Sequence, residues 1–145
     1  MIFAHAVVGI MPVDNSHFSW FWLLGSLAPD LDHLAVLLIK RIPLKKIADS
    51  MKFEEKYGLR YKTKYLHSIF GALVMTAPVA AISRPGALLF FAAYLIHLLW
   101  DWLDLDEKEY FYPFKIKIRG FLPIFSRPEK IFTLLLMAAA VWLYL

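Results

Sequence analysis

The sequence contains no cysteine and only a modest share of charged residues. Of its 145 residues, 19% are Asp, Glu, Lys or Arg, whereas 60% are hydrophobic, and the mean hydropathy is +0.56. The absence of thiols excludes disulfide bonds and thiolate metal ligands. The apolar composition excludes a disordered chain. It also argues against a soluble monomer, because so small a protein cannot bury that much apolar surface.

Polar residues divide the chain into five apolar blocks. These are Met1–Pro12, His17–Ile39, Tyr65–Ser83, Ala87–Leu103 and Ile131–Leu145. A membrane-spanning helix needs about 20 residues, with about 17 tolerated, so the three middle blocks are long enough and the outer two are short. The sequence therefore predicts one all-α domain over residues 1–145. It would be a polytopic membrane bundle of about four to five transmembrane or half-spanning helices, with no cleavable signal peptide.

The basic residues are concentrated in two segments. Nine of the 16 Lys and Arg residues fall in 40–64, six fall in 104–130, and Arg84 is the last. Because two apolar blocks separate these segments, both can lie on the cytoplasmic side, as the positive-inside rule requires. Blocks 17–39 and 87–103 then run inward and block 65–83 runs outward. We attribute the net charge of +4 to this topology and to anionic headgroups, with no nucleic-acid partner.

The basic segments permit two local interpretations each. Leu44, Ile47, Ala48 and Met51 have helical spacing, which fits either a basic helix lying on the inner headgroup layer or a solvated loop. Residues 115–119 alternate in polarity, as expected of a short strand or of a basic loop at the interface. Overall the chain is predicted to be a multi-pass protein of the inner cell membrane.

Ionisable residues interrupt the apolar blocks, where they are costly and usually functional. All are His or Asp, a ligand set that suits zinc, manganese or iron. At about 1.5 Å of rise per residue, His33 and His97 lie about 12 and 13 Å from the inner ends of their helices, whereas His5 falls about 10 Å outside Asp30. The candidate metal ligands are His5, Asp30, Asp32, His33, His67, His97 and Asp101. The alternatives are an ion path or histidines that are hydrogen-bonded between helices.

Several motifs follow one another along the chain. They are His5, Gly25 followed by Pro29-Asp30-Leu31-Asp32-His33, His67-Ser68, His97 with Asp101, and Pro113-Phe114. In this order they resemble the motifs of the membrane-bound metal-dependent hydrolases, also described as LexA-binding inner-membrane hydrolases, and more distantly zinc-dependent phospholipase C. The resemblance covers almost the whole chain and implies a small helical membrane protein with a metal-centred hydrolase site. Many relatives have H-R-G-x-T-H-S where this chain has residues 62–68, so the first His and the Arg are missing here.

The leading functional prediction is a hydrolase of phosphoester or lipid-like substrates that holds one or two divalent ions, most simply zinc. Six or seven ligands suit a two-metal site. Asp32, Asp101 or Asp104 would act as general base, although Asp104 and Asp106 are expected to face water at the helix end. The alternative is a non-catalytic protein that binds or transports divalent metal.

Two further residues are assigned to substrate. Lys64, like Lys62 and Arg60, is a candidate for holding an anionic lipid headgroup or phosphoester, although its charge also fits the positive-inside pattern. Ser68 would either hydrogen-bond substrate or cap a helix, and the cap is favoured.

Overall fold

The computed structural model describes residues 19–123 and 126–144 of the chain. Within them the predicted all-α class is confirmed, since pairing of the β type is limited to the single bridges Asp104–Leu122 and Lys108–Ile118. The predicted helix over 1–12 and His5 lie outside the described residues. The helices are α1 (Ser19–Leu27), α2 (Leu31–Lys40), α3 (Ile47–Lys52), α4 (Glu54–Tyr57), α5 (Ile69–Ile82), α6 (Arg84–Trp102) and α7 (Arg127–Tyr144).

The apolar stretch Trp20–Lys40 is a helix interrupted at its middle. A 3₁₀ turn at Ala28–Asp30 separates α1 from α2, and Pro29 lies within this turn. Proline cannot supply the amide of a continuing α-helix, which explains why the regular pattern stops there, as the sequence predicts. Taken together, Trp20–Lys40 is 21 residues long and apolar enough to cross a membrane, and among the described residues α6 also meets this criterion.

Helix α5 is shorter than its apolar block. The block 65–83 is long enough for a span, but only the 14 residues Ile69–Ile82 are helical. The hydroxyl of Ser68 accepts a hydrogen bond from the Gly71 amide and so fixes the start of the helix. At about 1.5 Å per residue, α5 is about 21 Å long, shorter than the hydrocarbon core of a bilayer, which is about 30 Å thick.

Helices α5 and α6 are antiparallel, and α1 runs parallel to α6. Only Ser83 separates α5 from α6. Along α1, a Cβ at Gly25 would lie 2.2 Å from the Phe90 carbonyl oxygen. One turn earlier the Phe21 ring lies against Gly86, so the two helices keep the same direction. The sequence prediction that blocks 17–39 and 87–103 run the same way is therefore confirmed.

The two basic segments lie at the same end of this helix group. Segment 40–64 contains a 3₁₀ turn at Leu44–Lys46 followed by α3 and α4, so the helical interpretation applies to Ile47–Lys52. The chain after α6 folds back on itself, with the Leu105 amide donating to the Leu122 carbonyl at 3.1 Å. Residues 115–119 form a loop rather than a strand, because only Ile118 is paired there.

Helix α7 begins before the last apolar block. It starts at Arg127, where Ser126 accepts a hydrogen bond from the Glu129 amide at 3.3 Å. This makes it 18 residues long rather than the 15 of the apolar block alone. The helix contacts α6 through the edge-to-face pair of Trp100 and Phe132, whose ring centroids are 5.2 Å apart.

Candidate metal centre

Three separate parts of the fold bring histidines and aspartates to one place. The α1–α2 break carries Asp30, Asp32 and His33, the turn before α5 carries His67, and the last turns of α6 carry His97 and Asp101. One possible ligand atom from each of Asp30, His67 and His97 lies within 4.8 Å of the others, and the same holds for Asp32, His33 and His67. All of these side chains are buried except Asp30, which is partly exposed. Each predicted ligand within the described residues thus belongs to a single cluster.

The tautomer of His97 is fixed by a backbone carbonyl. Its Nδ1 lies 2.7 Å from the carbonyl oxygen of Ser26, which can only accept, so Nδ1 carries the hydrogen and donates. The Nε2 atom of the neutral ring is then an acceptor, and it faces Asp30 Oδ1 at 3.6 Å and Asp101 Oδ2 at 3.8 Å. Three acceptor atoms facing one another are stabilised by a proton or a metal cation between them. This arrangement is typical of a metal-ligating histidine whose other nitrogen is held by the protein.

Asp32 orients the other two histidines. Its Oδ1 lies 3.0 Å from His33 Nδ1, and its Oδ2 lies 3.0 Å from His67 Nδ1. The amide of Thr63 also donates to Asp32 Oδ2 at 2.6 Å. With its Nδ1 held in this way, His67 presents Nε2 to Asp101 Oδ2 at 3.2 Å. The carboxylate of Asp32 therefore has the contacts of a group that positions metal ligands.

His67 lies between two carboxylates. Burial lowers the pKa of its imidazole, but the contacts and charges of Asp101 and Asp32 outweigh burial and raise the pKa to about 9. The two carboxylates therefore favour the protonated form of His67 when no metal is bound. A divalent cation is a natural replacement for that proton, since metal ligands must give up their protons on binding.

A second charged cluster adjoins the centre. The Nζ atom of Lys62 lies 3.2 Å from Asp101 Oδ1 and 3.9 Å from Asp106 Oδ2, and it also contacts Asp104. The Nζ atom of Lys108 contacts Asp104 from the other side. Burial lowers the pKa of Lys62, but its aspartate neighbours raise it well above the usual range, so Lys62 remains charged.

The expectation that Asp104 faces water is wrong. The residue is only 1% exposed, because the loop after α6 folds back over it and the Gly120 amide donates to its carbonyl. Asp106 fits the expectation better, since its side chain is 40% exposed.

A small cavity of about 60 Å³ is lined by residues of both basic segments and by His67 of the centre. Its lining is entirely polar or charged and contains both signs of charge: besides Thr63 and His67 it consists of Arg60, Lys62, Lys64, Lys108, Lys117, Glu54, Asp106, Glu107 and Glu109. The ammonium group of Lys64 lies over the rings of Tyr65 and Tyr112, 5.5 and 5.4 Å from their centroids. The predicted headgroup candidates therefore line one opening.

Ser68 is used by the fold. Its hydroxyl donates to the Tyr65 carbonyl at 2.8 Å and accepts from the Gly71 amide at 3.0 Å, and the residue is fully buried. The favoured sequence interpretation, a helix cap, is confirmed. A contact with substrate would require the hydroxyl to leave both partners.

Several contributors could not be recognised from residue type. The Ser26 carbonyl and the Thr63 amide are backbone groups, and nothing in their side chains marks them. The sequence did contain a weak indication for Asp104 and Lys108. Asp104 follows Asp101 by three residues and Lys108 follows Asp104 by four, and ion-pairing side chains often have this spacing. Sequence reasoning considered Lys62 only as a headgroup ligand or a topological charge.

The fold and the cluster define a class: an all-helical protein with two helices of membrane-spanning length and a buried histidine–aspartate centre able to hold a metal. The chain belongs to the YdjM inner membrane protein family, whose family model matches residues 1–145. It is thus an inner-membrane protein. No curated protein and no solved structure matches the chain.

Proposed function

We propose that the protein is a multi-pass, metal-dependent hydrolase of the inner membrane that acts on phosphoester or lipid-like substrates. The observation that carries the proposal is the tautomer pattern of the centre. Protein acceptors hold Nδ1 of His33, His67 and His97. The Nε2 atoms of His67 and His97 are thereby directed at carboxylate oxygens, an arrangement that suits a bound divalent cation.

Zinc is the simplest ion for this ligand set, with manganese or iron as alternatives. The residues present fit such an ion, because His67 Nε2 is buried without a hydrogen bond of suitable geometry, 3.2 Å from Asp101 Oδ2. We assign His67, His97, Asp30 and Asp101 to the ion, with His33 beside them. A bound divalent ion would act as a Lewis acid and would lower the pKa of a water molecule bound to it to about 7.

The side chains of this chain account for the remaining tasks of hydrolysis. Asp32 orients His33 and His67 through their Nδ1 atoms, so we assign it positioning rather than the base role that the sequence suggested. The sequence also suggested Asp101 as base, but one of its oxygens contacts Lys62 and the other faces the histidine nitrogens, so we assign it to the ion. Lys64, with Arg60 at the same charged opening, would bind the anionic oxygens of a phosphoester, since Lys62 is already held by carboxylates.

The charged opening also suggests how substrate approaches. Because the lining contains no apolar side chain, only the polar part of a lipid-like substrate would enter from this side. The basic segments that form the opening would lie on the cytoplasmic side, as the positive-inside rule requires. Helices α5 and α7, together with the segment before α1, would complete a bundle of four to five spans or half-spans.

The first test is elemental analysis of the purified protein beside His97→Ala and Asp30→Ala. Wild type should carry stoichiometric zinc, manganese or iron, and both variants should lose it. Asp49→Ala, which changes an exposed aspartate on α3, is the matched control and should keep the metal. Equal metal in all four proteins, or none in wild type, would refute the centre.

The second test is hydrolysis of phosphoester substrates by the metal-loaded protein in detergent or lipid. Activity that follows metal content across the variants supports the hydrolase. Stoichiometric metal without hydrolysis of phosphomonoesters, phosphodiesters or phospholipids would favour the alternative, a non-catalytic protein that binds or transports divalent metal.

A further inference from the structure

The ammonium group of Lys62 is surrounded by carboxylates. It contacts Asp101, Asp104 and Asp106, with Asp101 Oδ1 at 3.2 Å and Asp106 Oδ2 at 3.9 Å. Its side chain is 16% exposed, and those of Asp101 and Asp104 are each 1% exposed. Buried carboxylates are tolerated only when a cation neutralises them. In this position Lys62 serves as that cation.

The two oxygens of Asp101 have different partners, and Lys62 contacts only one of them. Oδ1 is held by the Lys62 ammonium, whereas Oδ2 faces His67 Nε2 at 3.2 Å and His97 Nε2 at 3.8 Å. Only one oxygen of this carboxylate is therefore directed at the metal-binding nitrogens. A carboxylate that bridges two ions with one oxygen on each would need both oxygens, and here one of them is already committed to an amine.

The charges of the buried groups can be counted. Four carboxylates, those of Asp30, Asp32, Asp101 and Asp104, have side chains no more than 24% exposed. Two ammonium groups, those of Lys62 and Lys108, face them. With neutral histidines, and with Asp106 left out because solvent screens its 40% exposed side chain, two negative charges remain, which is the charge that one divalent ion neutralises.

We infer that the centre takes a single divalent cation, and that the Lys62 ammonium supplies the positive charge that a second ion would otherwise provide. This inference rests on the proposed metal centre and narrows it, because the number of ligand-type residues alone suited two ions. Lys62 is in this sense a positioning residue: it acts through Asp101 rather than on the metal.

The test is the number of zinc ions per chain at saturation, measured by elemental analysis of purified protein. Wild type and Lys62→Arg, which keeps the charge, should each hold one. Lys62→Met has a similar volume but leaves Asp101, Asp104 and Asp106 without the amine, so it should hold two. The double variant Lys62→Met/Asp104→Asn removes a cation and an anion together and should return to one.

Thermal unfolding gives a readout that does not depend on catalysis. Lys62→Met should be less stable than wild type without zinc, and excess zinc should raise its melting temperature more than it raises that of wild type. Two ions in wild type, or one in a saturated Lys62→Met, would overturn the inference. If Lys62→Met does not fold, two ions in wild type or Lys62→Arg would still overturn it. No metal in wild type would instead refute the proposed centre itself.

Discussion

Asp32→Asn tests whether Asp32 positions the histidines or binds the metal directly. The substitution keeps the size of the side chain but replaces one oxygen by an NH₂ group. Both oxygens of Asp32 accept hydrogen bonds, one from His33 Nδ1 and the other from His67 Nδ1 and the Thr63 amide. An amide can accept on one side only, so one histidine must lose Asp32 as its acceptor, and His33 would keep Asp30 Oδ1, 3.3 Å from its Nδ1. Where His67 loses this acceptor, its ring can take the other tautomer, with a hydrogen on Nε2 where a ligand lone pair is needed.

The size of the effect follows from this geometry. Losing one acceptor behind a ligating histidine weakens metal affinity by about 10-fold to 100-fold. This corresponds to about 1.4 to 2.8 kcal/mol of binding free energy. The assay is a competition titration of zinc against a chromophoric chelator, with the apoprotein in detergent.

The control for this measurement is Asp106→Asn, which makes the same chemical change at a carboxylate 3.9 Å from Lys62 that contacts no histidine of the centre. Its zinc affinity should stay close to that of wild type. An Asp32→Asn affinity equal to that of wild type would refute the positioning role. Complete loss of zinc would instead identify Asp32 as a ligand, as the sequence suggested.

Three other changes probe the fold and the topology. Gly25→Ala should lower stability by about 1 to 3 kcal/mol, seen as a lower melting temperature, because a Cβ 2.2 Å from the Phe90 carbonyl forces α1 and α6 apart; an unchanged melting temperature would contradict this packing. The chain has no cysteine, so Lys52→Cys should be labelled by a membrane-impermeant maleimide only from the cytoplasmic side and Ser83→Cys only from the outside, and the opposite pattern would reverse the topology. Ser68→Ala should cost about 1 kcal/mol of stability through loss of the helix cap and leave KM unchanged, whereas a raised KM would point to substrate binding.

Much of the fold could be predicted because its determinants are local. Apolar block length predicted helices near 17–39 and 87–103, and Pro29 predicted the break between α1 and α2. The distribution of Lys and Arg predicted that the two basic segments lie at the same end of the helix group. Block length did not predict where α5 begins, because the start of that helix is set by the Ser68 cap rather than by hydropathy.

The gathering of His67, His97 and Asp101 agrees with the depth expected from helix rise. The hydrogen-bond partners of these residues could not be predicted from the sequence. The Lys62 contacts with Asp101 and Asp104 cross 39 and 42 residues of chain. The burial of Asp104 also depends on the loop after α6, which folds back over it, and the pattern of apolar residues does not predict such a loop.

The break at Pro29 explains why two aspartates of one apolar stretch reach the same site. In a regular α-helix, residues two apart do not face each other, because each residue turns the chain by about 100°. Yet Asp30 Oδ1 and Asp32 Oδ1 lie 3.3 and 3.0 Å from the same nitrogen, His33 Nδ1. The 3₁₀ turn at Ala28–Asp30 supplies the change in direction. Such irregular backbone at membrane depth is tolerated where protein covers it, and both Ala28 and Pro29 are buried. The deviation from a straight spanning helix is therefore what allows Asp30 to face His97 while Asp32 holds His67.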